Sequence, residues 1–278
     1  MAEATSDKAE EYKVPGNIWF NDGRDVELLR SIYSNPSLSK LRNNPAGILD
    51  AIDNFTREKY FLMNIGARKA AIICKYIADT KPSTVVELGG YVGYSAIVFG
   101  DAVKRAGGQR FISLERDPLF AAVARSLIDL AGLGDIVKVV VGKSNDILRF
   151  MKLSGEIESL DMLFLDHWKV LYRQDLKLCE ELGLVIKGTL VCADNYTATG
   201  NPLFSDYLLS SIEEKKSAVK EGPRADEGEK IKETFGPGRE DLNLDLKGNP
   251  ELLYEILEIV EVVEPDGRPD GVAVARAT

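Results

Sequence analysis

Histidine, cysteine and tryptophan are scarce in this chain of 278 residues: one His, three Cys and two Trp. None of Cys74, Cys179 and Cys192 stands at metal-ligand spacing, and each falls in an apolar or helical pattern. That argues against a zinc site or a disulfide framework and fits a reducing compartment. Positive charge is also in deficit. With 35 Lys and Arg against 44 Asp and Glu, the formal net charge is −9 and the sequence pI about 4.9. A nucleic-acid surface needs clustered cations to neutralise phosphates, so no nucleic-acid partner is expected. No stretch approaches ~18 uninterrupted apolar residues, and the polar opening "MAEATSDKAEEYKVPG" has no apolar signal segment. A soluble, cytoplasmic protein without a membrane partner, working as a monomer, is expected. No internal repeat is present, which removes solenoids and propellers.

What is present is ordinary globular composition, 45% hydrophobic and 28% charged, enough for one large α/β domain or two small ones. Residues 1–17 read as a disordered leader. Three helical patterns follow, "DVELLRSIYSN", "PAGILDAIDNFTREKYF" and "GARKAAIICKYIADT", with Pro45 suited to a first helical position. From Pro82 onward, apolar runs alternate with helices: "STVVEL", "RFISLE", "IVKVVVG", "LDMLFLD" and "GTLVCAD" are the strands. Strands apolar almost throughout, separated by helices, predict a doubly wound, mostly parallel sheet covered on both faces. Residues 211–250 are dense in charge, Gly and Pro and read as a solvated, partly disordered insertion, with an active-site lid as the sharper alternative. "LYEILEIVEVVE" and "GVAVARA" then predict an antiparallel C-terminal strand pair.

Two stretches carry chemistry. "ELGGYVGYS" follows the first strand and opens a helix, the place where open α/β sheets bind ligands. Gly89, Gly90 and Gly93 permit close backbone approach, but their spacing is not that of a dinucleotide fingerprint. Glu87 beside the loop would repel a pyrophosphate and welcome an ammonium or sulfonium. Glu115, ending the next strand in "FISLERD", is placed to accept from both ribose hydroxyls. Alone it would read as a solvated turn residue. Together the two acidic strand ends favour S-adenosylmethionine over NAD.

The other stretch is a pair, "LFLDHWK" and "LVCADNY", both apolar strands ending in Asp one βα unit apart. Parallel neighbours bring Asp166, Asp194 and Asn195 toward one point. Any one of them alone would pass as a cap or turn residue. Two carboxylates together need a cation or a proton. Three protein oxygens leave room for water and substrate in an octahedral shell, which suits Mg²⁺. Lys169 lies one turn beyond Asp166. A phenol of pKa about 10 needs a base near neutral pH, and a lysine of depressed pKa beside a cation fits that role. Outside this cluster it would read as a surface cation. His167 reads as packing or stacking, and Trp168 as an aromatic wall beside adenine or substrate.

The chain resembles the catechol O-methyltransferase family. The resemblance is carried by "FLMNIGARKAAII", "VVELGGYVGYSA", "LERDP", "VVVGKSNDIL", "LDMLFLDHWK", "GLVIKGTLVCADN" and the ending "VEPDGRPDGVAVA", running from about Asp25 to Asn195 and resuming near Glu261. It implies a single methyltransferase domain over residues 18–278, with N-terminal helices and the charged insertion. It implies that Asp166, Asp194 and Asn195 bind Mg²⁺ and that Lys169 takes the phenolic proton. Ile65, Glu87, Gly89, Tyr91 and Ser95 would hold the methionine end of S-adenosylmethionine and Glu115 the ribose. Ser144, Asn145, His167 and Trp168 would surround the adenine, and Glu264 would meet the second hydroxyl of a catechol. The chain departs from the family pattern at Phe61, where a Trp gate is common, at Thr199, where a proline is expected, and at Arg116, where an apolar residue would face the adenine. Two rival functions remain at this point: methylation of other vicinal phenols such as caffeoyl thioesters or hydroxyquinols, and a non-catalytic S-adenosylmethionine-binding protein whose insertion recruits a partner.

Overall fold

The five apolar runs form five short strands: β1 (Thr84–Leu88), β2 (Arg110–Glu115), β3 (Val137–Val141), β4 (Met162–Leu165) and β5 (Leu190–Ala193). The last two, β6 (Tyr254–Val263) and β7 (Pro269–Ala277), complete a seven-stranded sheet of order β3-β2-β1-β4-β5-β7-β6. The first five are mutually parallel, and β7 runs antiparallel to both β5 and β6. The computed structural model describes residues 22–196, 201–223, 227–228, 231, 242–263 and 269–278.

Alternation along each strand sends successive side chains to opposite faces. Val85, Phe111, Met162, Phe164 and Cys192 join the core beneath α1 (Arg24–Tyr33), α3 (Pro45–Glu58), α4 (Gly66–Thr80), α5 (Tyr94–Arg105) and α6 (Pro118–Leu130). Val86, Ile112, Leu163, Leu165 and Val191 join the core on the other face, under α7 (Ser144–Leu153), α8 (Tyr172–Glu181) and α9 (Pro202–Leu209). Phe164 meets Phe99 edge-on at 5.2 Å, so truncating it to Ala would cost about 3–5 kcal/mol. Local signals agree with this layout. Asn44 and Asp117 cap helices that both begin with Pro, the second through Leu119 N at 2.7 Å.

Three helices are absent from the sequence-level pattern: the single turn α2 (Leu38–Leu41), α9, and α10 (Ile212–Glu221). The last opens the 211–250 segment with a helix whose side chains are mostly exposed, as a solvated segment requires, apart from one. Ser211 and Glu214 form a capping box, and Lys215 is buried, donating to Leu252 O at 2.7 Å over the rings of Tyr207 and Tyr254. Charge density concealed a helix whose lysine is held by aromatic faces and a carbonyl. Leu246 at the far end of the segment is also buried. Among the described residues, no helix is long and apolar enough to cross a membrane.

The strand order reverses between β1 and β4, whose neighbours lead away in opposite directions. Glu87 near the end of β1 and Asp166 just past β4 therefore stand at the topological switch point, the usual ligand crevice of such sheets.

Candidate active site

The loop after β1 is shaped by contacts that side chains would obstruct. Gly89 has φ 95°, and a Cβ there would fall 2.4 Å from the carbonyl oxygen of Asp166. The glycine loop is thus pressed onto the end of β4. Glu115 closes it from the other side. Its Oε2 accepts from Gly90 N at 3.1 Å and Tyr91 N at 2.6 Å, while Oε1 accepts from Asp117 N at 2.7 Å. The sequence suggested only a ribose acceptor here; the carboxylate also braces the loop, and Oε1 retains a lone pair for a ligand. Tyr91 sits at φ 43°, a conformation uncommon for a bulky residue, and its buried hydroxyl has no hydrogen-bond partner among the described residues.

Glu87 is fully buried and accepts from Ser113 Oγ at 2.5 Å and from Ser95. Its other oxygen, Oε1, has no hydrogen-bond partner among the described residues. Burial pushes this carboxyl up to about 7 against the pull of the two hydroxyls, and Glu115 nearby adds to the rise. A cation at that orphaned oxygen would satisfy both the hydrogen-bonding and the charge deficit. Ile65 is buried at the start of α4, at the edge of the same core.

Beyond β4 and β5, Asp166 and Asp194 are within electrostatic reach of one another. Burial and the mutual repulsion raise the Asp166 carboxyl well above the usual range, and burial raises Asp194. Two lysines and a third carboxylate complete the cluster. Lys69 Nζ donates to Asp270 at 2.6 Å and to Asp194 Oδ2 at 3.1 Å; although burial opposes it, the two carboxylates raise its ammonium above the ordinary value. Lys169 is depressed by burial, against the pull of Asp270, Asp194 and Asp166. Asn195 donates from Nδ2 to Asp270 at 2.6 Å.

Asp194 Oδ1 is buried without a hydrogen bond among the described residues, although Lys69 Nζ approaches it to 2.9 Å. Three carboxylates face two ammonium groups, leaving one anionic charge over when all are ionised. No three Asp, Glu, His or Cys side chains form a metal cage among the described residues. The available donors are instead two carboxylates and an amide oxygen, a set that fits Mg²⁺ completing its shell with water and substrate.

On the opposite side of the β4 end, His167 Nε2 lies 3.0 Å from Asp175, and the ring stacks on Tyr172. Ser144 Oγ donates to the same Asp175 oxygen, and Gln174 Nε2 reaches the other at 3.3 Å. Arg116 lies over the half-exposed ring of Trp168 at 6.0 Å. Asp175 thus brings His167 and Ser144 together, and Trp168 follows His167 in the chain. Asn145 turns its side-chain oxygen to Asp146 N at 2.8 Å. Glu264 and Thr199 lie outside the described residues.

A family described as O-methyltransferase matches residues 41–242. Catechol O-methyltransferase of Mus musculus is 40% identical over 195 residues, 70% of this chain and 71% of that protein. The chain belongs to the catechol O-methyltransferase family. It is an S-adenosylmethionine-dependent O-methyltransferase. Catechol O-methyltransferase B of Danio rerio is 38% identical over 208 residues, 74% of this chain and 76% of that protein. In fold, the chain is similar to the O-methyltransferase from Bacillus cereus in complex with SAH. The TM-score is 0.52 at 18% identity, over 91% of this chain and 96% of that one.

Three residues that contact the candidate site escape sequence reading: Lys69, Asp175 and Asp270. Each carried a signal. Lys69 occupies the buried stripe of α4, one turn before Ile73 and two before Ile77. Asp175 lies on the buried stripe of α8, one turn before Cys179. An ionisable residue at a core-facing helical position needs a partner. Asp270 opens β7 and gave only a turn signal.

Proposed function

We propose that this enzyme transfers the methyl group of S-adenosylmethionine to one hydroxyl of a catechol, with Asp166, Asp194 and Asn195 as Mg²⁺ ligands and Lys169 as general base. The observation that carries this reading is the convergence of Asp166, Asp194 and the depressed Lys169 at adjacent strand ends, next to Glu87. When bound, Mg²⁺ would supply a positive charge that favours the phenolate and a template for two vicinal oxygens.

The chain's own groups do the rest. Burial lowers the Lys169 pKa below that of a surface lysine, which suits its amine to accept the phenolic proton. Asn201 Nδ2 donates to the Lys169 carbonyl at 2.5 Å, which pins the base at the start of its turn. Glu87 and Glu115 hold the cationic and ribose parts of the methyl donor, and His167, Trp168 and Ser144 enclose its adenine. The phenolate oxygen then forms its bond to the methyl carbon as the carbon–sulfur bond breaks and the electron pair leaves on sulfur. Opposite charges vanish in this step, so positioning of oxygen, carbon and sulfur in line contributes more than charge stabilisation.

The test is incubation with S-adenosylmethionine, Mg²⁺ and a panel of phenols, read by mass spectrometry. A single added methyl on catechols, abolished reversibly by a chelator and by Asp194→Ala, is the expected result. Full activity in excess chelator would overturn the Mg²⁺ assignment. Preferential turnover of caffeoyl thioesters or hydroxyquinols would move the substrate to another vicinal phenol.

A further inference from the structure

An asparagine offers a cation either an oxygen or an NH₂, and only the oxygen is a ligand. The orientation of the Asn195 amide is therefore part of any cation site it serves. Its Nδ2 donates to Asp270 Oδ2 at 2.6 Å. A carboxylate is acceptor-only, so Asp270 draws the NH₂ end toward itself and turns Oδ1 to the other side.

Asp270 is itself held firmly. It is 3% exposed, its Oδ1 accepts from Gly271 N at 2.7 Å, and its Oδ2 accepts from Lys69 Nζ at 2.6 Å. Lys69, also 3% exposed, continues to Asp194. The backbone agrees with this arrangement. Asn195 adopts φ 51°, a left-handed turn that asparagine tolerates better than most residues, and Tyr196 N donates to Gly271 O at 2.9 Å. The turn after β5 is thus stitched to the start of the antiparallel strand β7. A lone buried aspartate would be costly; the lysine compensates it and reaches the neighbouring ligand as well.

We propose that Asp270 is a positioning residue for the metal: it locks the Asn195 amide with Oδ1 facing the cation. Lys69 compensates its charge and orients Asp194, so both ligands of the β5 turn are set before a cation arrives. This rests on the Mg²⁺ reading above, and it gives the antiparallel end of the sheet a task in the reaction beyond closing the edge.

The test uses Mn²⁺ as probe, counting free ion by its electron paramagnetic resonance signal during titration of the full-length protein. S-adenosylmethionine affinity is measured alongside by calorimetry. Asp270→Asn should weaken Mn²⁺ binding about tenfold or more, the usual scale for groups that orient a ligand. Cofactor affinity should be unaltered. In the exchanged pair, Asn195→Asp with Asp270→Asn, the amide at 270 donates to the carboxylate at 195, whose second oxygen still faces the cation. Mn²⁺ binding should return to within about threefold of the wild type.

A purely structural role for Asp270 would lower thermal stability and leave Mn²⁺ affinity in place. Wild-type-like Mn²⁺ binding by the folded Asp270→Asn protein would overturn the proposal alone. Absence of Mn²⁺ binding by the wild type would overturn the Mg²⁺ reading and the proposal with it. Where the single variant does not fold, the exchanged pair decides: folded and binding supports the assignment, folded and not binding ends it.

Discussion

His167 Nε2 lies 3.0 Å from Asp175 Oδ2, and the same carboxylate oxygen receives the hydroxyl of Ser144. One buried residue of α8 thereby orients two side chains, one at the start of α7 and one just past β4, both proposed for the adenine end of the cofactor. The imidazole is further fixed by its stack on Tyr172, at 18° between planes. With Nε2 turned toward Asp175, the buried Nδ1 has no partner among the described residues. A preset ring and hydroxyl cost less to immobilise when the ligand binds.

Asp175→Asn should therefore weaken S-adenosylmethionine by about tenfold, the value of one charged hydrogen bond. At saturating cofactor, kcat should be nearly unchanged, because Asp175 stands away from the phenol. Calorimetry and steady-state kinetics separate the two. Unchanged affinity would show that His167 and Ser144 hold their places without it.

Glu87 makes a pH-dependent prediction. Burial holds its carboxyl at about 7 in the folded chain, above the ordinary 4.5. Between these values the folded state binds more protons than the unfolded one, so the Glu87 contribution lowers ligand-free stability as pH rises from 4.5 to about 7, then levels off. A cationic ligand favours the ionised form. S-adenosylmethionine binding near pH ~6 should accordingly release a fraction of a proton, measured calorimetrically in two buffers of different ionisation enthalpy. Glu87→Gln should remove that part of the release. An identical proton count in the variant would place the cationic end of the cofactor elsewhere.

The sheet and half of the site were readable because their signals are local. β-branched runs alternate with helices, and Asp166 and Asp194 announce themselves by ending apolar strands. The partners of those residues were harder to find. Lys69 meets Asp194 across 125 residues and Asp270 across 201, and only the fold brings them together. The helix α10 within residues 211–250 was missed for a different reason. Composition there is polar, yet Ser211 and Glu214 form a capping box, and the lysine one position later is covered by two aromatic rings. Composition averages over a segment, whereas a cap and one buried side chain are single-residue facts.

The helix bears on what deletion of the insertion should do. Lys215 is enclosed by Tyr207 at 4.2 Å and Tyr254 at 4.9 Å, and both tyrosine hydroxyls donate to Glu180 at 2.5 Å. Lys215→Met should lower stability by about 2 kcal/mol, combining a lost hydrogen bond with lost cation–π attraction. In a protein of this size that corresponds to a fall in Tm of roughly 4–8 °C. Methylation of small catechols by the folded variant should stay within about an order of magnitude of the wild type, since this cluster is built from α8, α9, α10 and β6 without any proposed ligand. An unchanged Tm would show that the aromatic enclosure contributes nothing to stability.

Lys169 decides whether the site contains a base or merely a second cation. Burial depresses its pKa while Asp270, Asp194 and Asp166 oppose the shift, so the amine gives up its proton more readily than a surface lysine. If Nζ removes the phenolic proton, Lys169→Met should reduce kcat by about 10²–10⁴, with S-adenosylmethionine affinity barely altered. Lys169→Arg retains a cation but offers no neutral base near pH ~7, and it should be almost as slow. Raising the pH, or using a catechol acidified by a nitro group, should recover part of the rate in both variants, because the substrate then arrives ionised. The recovery matters more than the loss, since a damaged site would stay slow on every substrate. An arginine variant with near wild-type kcat on an unactivated catechol at neutral pH would leave Lys169 an electrostatic role only.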